Sequence, residues 1–275
     1  TQGKPIEMVQ QGLKQIKHQL SEDVDICGVA TTGSARYLAG VIVGADLVKN
    51  EITSHAVATL QYIPEVQTII EIGGQDSKII IVRDGIVTDF GMNTVCAAGT
   101  GSFLDHQALR LNMSIEEFAQ RALGSQAPVR IAGRCTVFAE SDMVHKQQMG
   151  HRIEDILYGL CQALVRNYLN NVALGKDIKP PIVFQGGVAF NQAIVKALQE
   201  ELDAEVIVPS HHEIMGAIGA ALLANEEMVD NNNGSQFKGF SVSEVKYHTS
   251  SFECKACPNL CEVAQLSLNG QVLAR

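Results

Sequence analysis

The sequence predicts an α/β fold whose lobes face a cleft, and two observations carry that expectation. Three consecutive strands, at residues 68–72, 78–82 and 86–90, are joined by the tight turn Gly73-Gly74-Gln75-Asp76 and by Asp84-Gly85. The second dipeptide is favoured where two successive residues need positive φ. Beyond this meander, helical periodicity alternates with short buried strands that end in glycines. A Rossmann unit is excluded, because a helix rather than another strand should follow its glycines.

The elements follow in order. Residues 5–20 place Ile6, Val9, Leu13, Ile16 and Leu20 at helical spacing, an amphipathic helix. Residues 24–30 read as a mostly buried strand carrying Cys27, and residues 54–62 as a helix stopped by Pro64. After the meander come helices at 101–111 and at 115–123, the latter behind a Ser114-x-x-Glu117 capping box. A helix at 136–149 and a long one carrying Ile153, Leu157, Leu160, Leu164 and Val172 follow, with Cys161 on or beside the apolar stripe. Residues 182–184 form a short buried strand ending in Gln185-Gly186-Gly187, a helix opens near Asn191, and 205–208 is the next strand. Residues 213–224 form a helix whose small residues permit close backbone packing. The expected organisation is a remnant of a first lobe (1–65), a second lobe (66–224) whose last helix returns to the first, a polar linker (225–250) and a cysteine-rich tail module (251–275) whose fold depends on metal.

Composition narrows the function classes. The chain has 275 residues, 46% hydrophobic, with a net charge of −9, enough for one large domain or two lobes. Such an acidic chain repels phosphate backbones, so nucleic acid is not an expected partner. No apolar run reaches the roughly 18 residues of a spanning helix, and the start is no signal peptide. The chain therefore reads as soluble and cytoplasmic, without a membrane partner. Its 7 cysteines are an odd number, which argues for metal or buried thiols over a disulfide framework.

Gly73-Gly74-Gln75-Asp76, behind Glu71, is either a plain hairpin turn or a place where backbone amides approach phosphate beside an acid for magnesium. Cys96-Ala97-Ala98-Gly99-Thr100-Gly101 and Gly133-Arg134-Cys135-Thr136 each put a cysteine before a helix, where free amides favour an anion or a thiolate. Two such thiols are structural, or they are half the ligand set of an iron–sulfur cluster that a second copy completes. Gly186-Gly187 is a turn or the flat approach for an adenine and ribose. His211-His212 reads as cap and surface, and Cys27 and Cys161 as buried structural thiols. Cys254, Cys257 and Cys261 form C-x2-C-x3-C, a chelating spacing that lacks a fourth ligand.

Together these segments resemble the activators of 2-hydroxyacyl-CoA dehydratases and the related benzoyl-CoA reductase ATPase subunits (BadF/BadG/BcrA/BcrD type). Those proteins belong to the sugar kinase, heat-shock-70 and actin superfamily, with its ribonuclease H-like two-lobe fold. The resemblance runs from Val24 to Ala224. It rests on Ile70-Glu71-Ile72-Gly73-Gly74-Gln75-Asp76-Ser77-Lys78, the stretch from Met92 to Phe103, Cys135-Thr136-Val137-Phe138-Ala139-Glu140-Ser141, Gln185-Gly186-Gly187-Val188-Ala189-Phe190-Asn191, and Gly216-Ala217-Ile218-Gly219-Ala220-Ala221. It implies that Cys96 and Cys135 share a four-iron four-sulfur cluster across a homodimer. It also implies that Gly73, Gly74, Gln75, Asp76, Gly99, Thr100, Gly101, Gly186 and Gly187 surround ATP and magnesium. Gln75 and Asp76 would position water and magnesium, and Glu71 would serve a magnesium-bound water.

The implied activity is an ATPase that passes one electron to a CoA-ester dehydratase or reductase. The alternatives are a small-molecule kinase of the same superfamily or a non-enzymatic iron–sulfur scaffold. The tail resembles the end of the second ATPase unit in large tandem members, with a second iron–sulfur or zinc site. The superfamily's first phosphate loop has no counterpart here, so the expectation is a fragment that hydrolyses ATP weakly or not at all.

Overall fold

The computed structural model describes residues 3–21, 24–93, 99–133, 135–230, 234–268 and 270–274. It opens with helix α1 (Pro5–Gln19), strand β1 (Ala30–Thr31), helix α2 (Arg36–Val43), strand β2 (Leu47–Val48) and helix α3 (Glu51–Tyr62). The meander is β3 (Thr68–Ile72), β4 (Ser77–Arg83) and β5 (Ile86–Asn93), followed by α4 (Gly101–Arg110), α5 (Ile115–Leu123), α6 (Thr136–Gln148) and α7 (Ile153–Asn171). Then come β6 (Ile182–Gln185), α8 (Gln192–Leu202), β7 (Val206–Ile207), α9 (Met215–Asp230) and the tail strands β8 (His248–Glu253), β9 (Glu262–Leu268) and β10 (Gln271–Ala274). The chain divides into two compact units, His55–Met215 and the pair of segments Thr1–Ser54 with Gly216–Arg275.

The unit His55–Met215 is built on a five-stranded sheet of order β5-β4-β3-β6-β7. β3 pairs antiparallel with β4 on one side and parallel with β6 on the other. Covered on both faces, β3 reads as a continuous apolar run rather than an alternation. Ile69, Ile70, Ile72, Ile79 and Ile80 are fully buried, each worth about 1.5–3 kcal/mol relative to exposure. The Asp84-Gly85 turn has φ of 51° and 75°, the positive pair the sequence predicts. Ser114 caps α5 by accepting a hydrogen bond from the Glu117 amide, as the capping box predicts. Cys161 lies fully buried on α7, and burial pushes its thiol pKa well up.

The other unit departs further from expectation. Only Ala30–Thr31 of the expected strand forms, because its sole partner among the described residues is the two-residue β2. Cys27 is exposed rather than buried in a core strand. α2 is an element that the sequence pattern does not predict; it ends at Gly44, where φ of 71° and the close Gln236 carbonyl require glycine.

The chain boundaries also differ from those expected. α9 continues to Asp230, with Gly219 letting it press onto the Ser54 carbonyl. Residues within the expected linker pack: Phe237 and Tyr247 join a cluster with Ile42, Val43 and Leu266. Gln10 of α1 donates to the Val242 and Val245 carbonyls. The tail strands form a three-stranded antiparallel sheet whose Leu266 belongs to that same cluster, so the tail shares this unit's core rather than standing as a separate module.

Candidate functional site

The site grows from one polar row across the sheet. Strand register sets Glu71 of β3 opposite Lys78 of β4 and opposite Gln185 of β6. Glu71 is the one charge in an otherwise apolar strand and needs a partner where it is buried. Lys78, 2% exposed, supplies it: its Nζ lies 2.9 Å from Glu71 Oε2 and 3.0 Å from Asp76 Oδ2. Gln185, fully buried, accepts from the Thr59 hydroxyl and donates through Nε2 to His55 Nδ1, 2.8 Å away. Burial first, then the nearby Lys78 charge, lower the His55 pKa to about 4, with Asp76 opposing, so the ring is neutral.

Glycine turns cap this row at the ends of the parallel strands. The Gly73 amide donates to the Asp76 carbonyl at 2.9 Å and closes the first turn; Gly74 and Gln75 stand exposed at its tip. Gly186 has φ of 94°, and a Cβ there would sit 2.4 Å from the Ile72 carbonyl, so β3 and β6 can approach this closely only with glycine. A two-way clasp holds Gly186: its amide donates to the His212 carbonyl, and His212 Nδ1 donates to its carbonyl at 3.0 Å. His212 is thus a clamp with 11% side-chain exposure, not a surface cap. A short 3-10 helix, Gly187–Phe190, follows, and Asn191 caps α8 by accepting from the Ala193 and Ile194 amides.

The start of α4 completes the assembly. The Gly101 amide donates to the Gly73 carbonyl (2.9 Å) and the Ser102 amide to the Gly74 carbonyl (2.8 Å). The Gly101 amide therefore clasps the turn, while Gly101 also lines the cleft beside it. Thr100 is buried, its hydroxyl 3.1 Å from that of Ser102. Beside them opens a cleft of about 630 Å³ lined by Gly74, Gly101, Leu104, Glu116, Val188 and Phe190, among others. Apolar walls with a few polar groups, next to exposed glycine amides, suit a nucleoside whose phosphates lie at the turn.

Gly73, Gly74, Gly101, Gly186 and Gly187 are thus brought together, with Gln75 and Asp76 on the same turn. Glu71 lies buried beneath the turn, where it pairs with Lys78. Asp76, with a 32% exposed side chain, is the carboxylate that can face a nucleotide's metal. Lys78 and His55 were missed, although a lysine inside an isoleucine run, one short turn from a glutamate, is a readable sign of a cross-strand pair.

Of the expected cluster cysteines, Cys96 lies outside the described residues. Cys135 is the N-cap of α6 in an extended conformation, with no side-chain cap bond. Cys254 and Cys261 face each other at the mouth of the β8–β9 hairpin, the Cys254 amide donating to the Cys261 carbonyl, while Cys257 is exposed. Among the described residues no three His, Cys, Asp or Glu side chains gather as metal ligands, so the tail thiols do not form the expected three-cornered site here. No helix among the described residues is long and apolar enough to cross a membrane.

Comparison with known proteins agrees with the fold. The chain is 37% identical over 204 residues to the 2-hydroxyisocaproyl-CoA dehydratase activator of Clostridioides difficile, covering 74% of this chain and 75% of that protein. It is 37% identical over 210 residues to the (R)-2-hydroxyglutaryl-CoA dehydratase activating ATPase of Acidaminococcus fermentans, covering 75% and 78%. The solved structure of the 2-hydroxyisocaproyl-CoA dehydratase activator with bound ADPNP superposes with a TM-score of 0.72 at 35% identity, over 80% of this chain and 81% of that one. The fold is accordingly that of the actin-like ATPases. A family model described as the BadF/BadG/BcrA/BcrD ATPase family matches residues 1–224, and the chain belongs to that family.

Proposed function

We propose that this chain is an ATP-dependent one-electron activator of a 2-hydroxyacyl-CoA dehydratase or a related CoA-ester reductase. One observation carries the reading: two glycine turns, at Gly73–Gly74 and Gly186–Gly187, flank one cleft in a chain that is similar to such activators throughout the region. That similarity does not favour the kinase alternative. ATP would lie with its base and ribose in the cleft and its phosphates over the first turn. Gln75 at the tip would orient the attacking water and Asp76 would help hold magnesium, so the chemistry would be electrostatic positioning.

Cys96 and Cys135 from two copies would hold the shared four-iron four-sulfur cluster, which supplies the single electron when bound. Cys135 would enter that site from the N-cap of α6. The assembly is a cytoplasmic homodimer that docks on its CoA-ester enzyme. No step is assigned to Cys254, Cys257 and Cys261, whose arrangement does not match a metal site.

Calorimetric titration with ATP, ADP and GTP in the presence of magnesium tests the nucleotide reading. Saturable adenine-nucleotide binding that Gly74→Val abolishes is expected, and absence of binding refutes it. Iron and sulfide analysis of anaerobically prepared protein, with Cys96→Ser and Cys135→Ser, tests the cluster. Unchanged iron in either variant refutes the ligand assignment.

A further inference from the structure

Asn167 stands on α7, 1% exposed, at the point where two loops meet the helix. Its Nδ2 donates to the Gly133 carbonyl at 2.6 Å, two residues before Cys135. Its Oδ1 is buried and accepts no hydrogen bond among the described residues. That oxygen lies against Gly99, where an added Cβ would come within 3.0 Å of it. Gly133 in turn packs closely on α7, since a Cβ there would sit 3.0 Å from the Ala163 carbonyl.

These contacts join two others already described. From Gly99 the chain runs directly into the Gly101 and Ser102 amides that grip the Gly73 and Gly74 carbonyls. From Gly133 it runs into the N-cap of α6. One residue along α7, the Tyr168 hydroxyl donates to the Lys78 carbonyl at 2.8 Å and fastens the helix to the turn's own strand. α7 is therefore a fixed post, and Asn167 is the side chain on it that touches both loops. A buried acceptor left without a donor is uncommon in a finished core and marks a group whose partner arrives in another arrangement.

We propose that Asn167 is the positioning residue that ties the nucleotide loop at Gly99 to the cysteine loop at Gly133, so that a shift of one is passed to the other. The inference rests on the nucleotide reading above. Nucleotide at the Gly73–Gly74 turn displaces the start of α4 and with it Gly99; Asn167 responds through its unpaired Oδ1, and its amide carries the change to the Gly133 carbonyl and the first turn of α6. Coupling of this kind travels through direct contacts between groups that have two discrete arrangements.

Hydrogen-exchange mass spectrometry of the whole chain tests this, comparing magnesium ADP with a non-hydrolysable ATP analogue, with peptides covering residues 131–139 as readout and α8 as control. In the wild type the two nucleotides should change exchange at 131–139 by at least about threefold and leave α8 unchanged. Asn167→Ala should reduce that difference below about 1.5-fold while nucleotide affinity stays within about threefold. Asn167→Leu, which keeps the side chain's bulk, serves in the same way should the alanine variant fail to fold. A variant that keeps the wild-type difference, or one that loses nucleotide binding together with it, overturns the proposal. Wild-type protein that binds both nucleotides without any difference at 131–139 also overturns it and leaves the nucleotide reading standing. Wild-type protein that binds neither removes both.

Discussion

Two hairpin turns in this chain carry a compact run of unusual residues between two strands, glycines in one and cysteines in the other. The Gly73–Asp76 turn stands on β3 and β4, with every residue of β3 buried and a paired lysine beneath it. The Cys254–Cys261 turn stands on β8, where every residue is exposed, and on a β9 buried only at Leu266 and Ser267. The first turn is held from below by charges, amides and a helix start, so its backbone groups keep fixed directions. The second is held by its own ladder and a backbone bond across its mouth. Preorganisation comes from the layer under a turn, and residue types at the tip do not supply it.

The sharpest way to break that contrast is to remove the support of the first turn. Lys78→Met should leave two acids without their cation and destabilise the fold by about 3–5 kcal/mol, the usual cost of breaking a buried pair. Chemical denaturation would read it, and a loss below 1 kcal/mol, on the order of an exposed pair, would mean the row is not a foundation. Gly186→Ala comes next: the left-handed φ alone costs about 1–3 kcal/mol, and the collision with the Ile72 carbonyl adds to it. It should lower the melting temperature and weaken nucleotide binding together, and an unshifted melting curve would count against the close approach of β3 and β6.

A third effect is pH dependence under the same turn. His55 has a folded pKa of about 4 against an ordinary 6.5, so below 6.5 the unfolded chain binds a proton that the folded chain refuses. Its contribution to stability is present in full above pH 6.5 and falls away as pH drops towards 4. Comparing His55→Gln with wild type across that window should show a shallower decline, and parallel curves would remove His55 from the account. The smallest effect belongs to the other hairpin. Replacing Cys254, Cys257 and Cys261 by serine should shift metal-free stability by less than about 0.5 kcal/mol, as for surface changes away from special features. A larger loss would show that the tail turn has more support than its exposure suggests.

Local rules that depend on neighbouring residues were legible in the sequence. Asp84-Gly85 gave the turn, Ser114 gave the cap, and the apolar runs gave β3, β4 and α7 within a residue or two. What depended on distant partners was not legible. Residues 24–29 have strand composition, but a strand needs a neighbour over its whole length, and β2 offers two residues. Leu266 and Tyr247 look like surface tail until Ile42 and Val43 of α2 give them a core to join. The glycine positions of the candidate site were readable, whereas the direction of the Gly101 amide was not, because a helix start faces whatever acceptor the fold places before it. Glu71 and Lys78 needed only the register of a four-residue turn, a signal that was present and unused.

The two histidines beside the site also differ in where their proton sits. His212 turns Nδ1 to a carbonyl and so carries its hydrogen there, while His55 receives Gln185 at Nδ1 and carries its hydrogen on Nε2. One ring thus donates through Nδ1 and the other accepts there, which gives them different nitrogen-15 resonance patterns. Isotope labelling of histidine would give each glycine turn its own spectroscopic signal: the His212 resonance follows the Gly186 clasp, and the His55 resonance follows the polar row under Gly73. Watching the two separately during nucleotide titration would show which turn engages first.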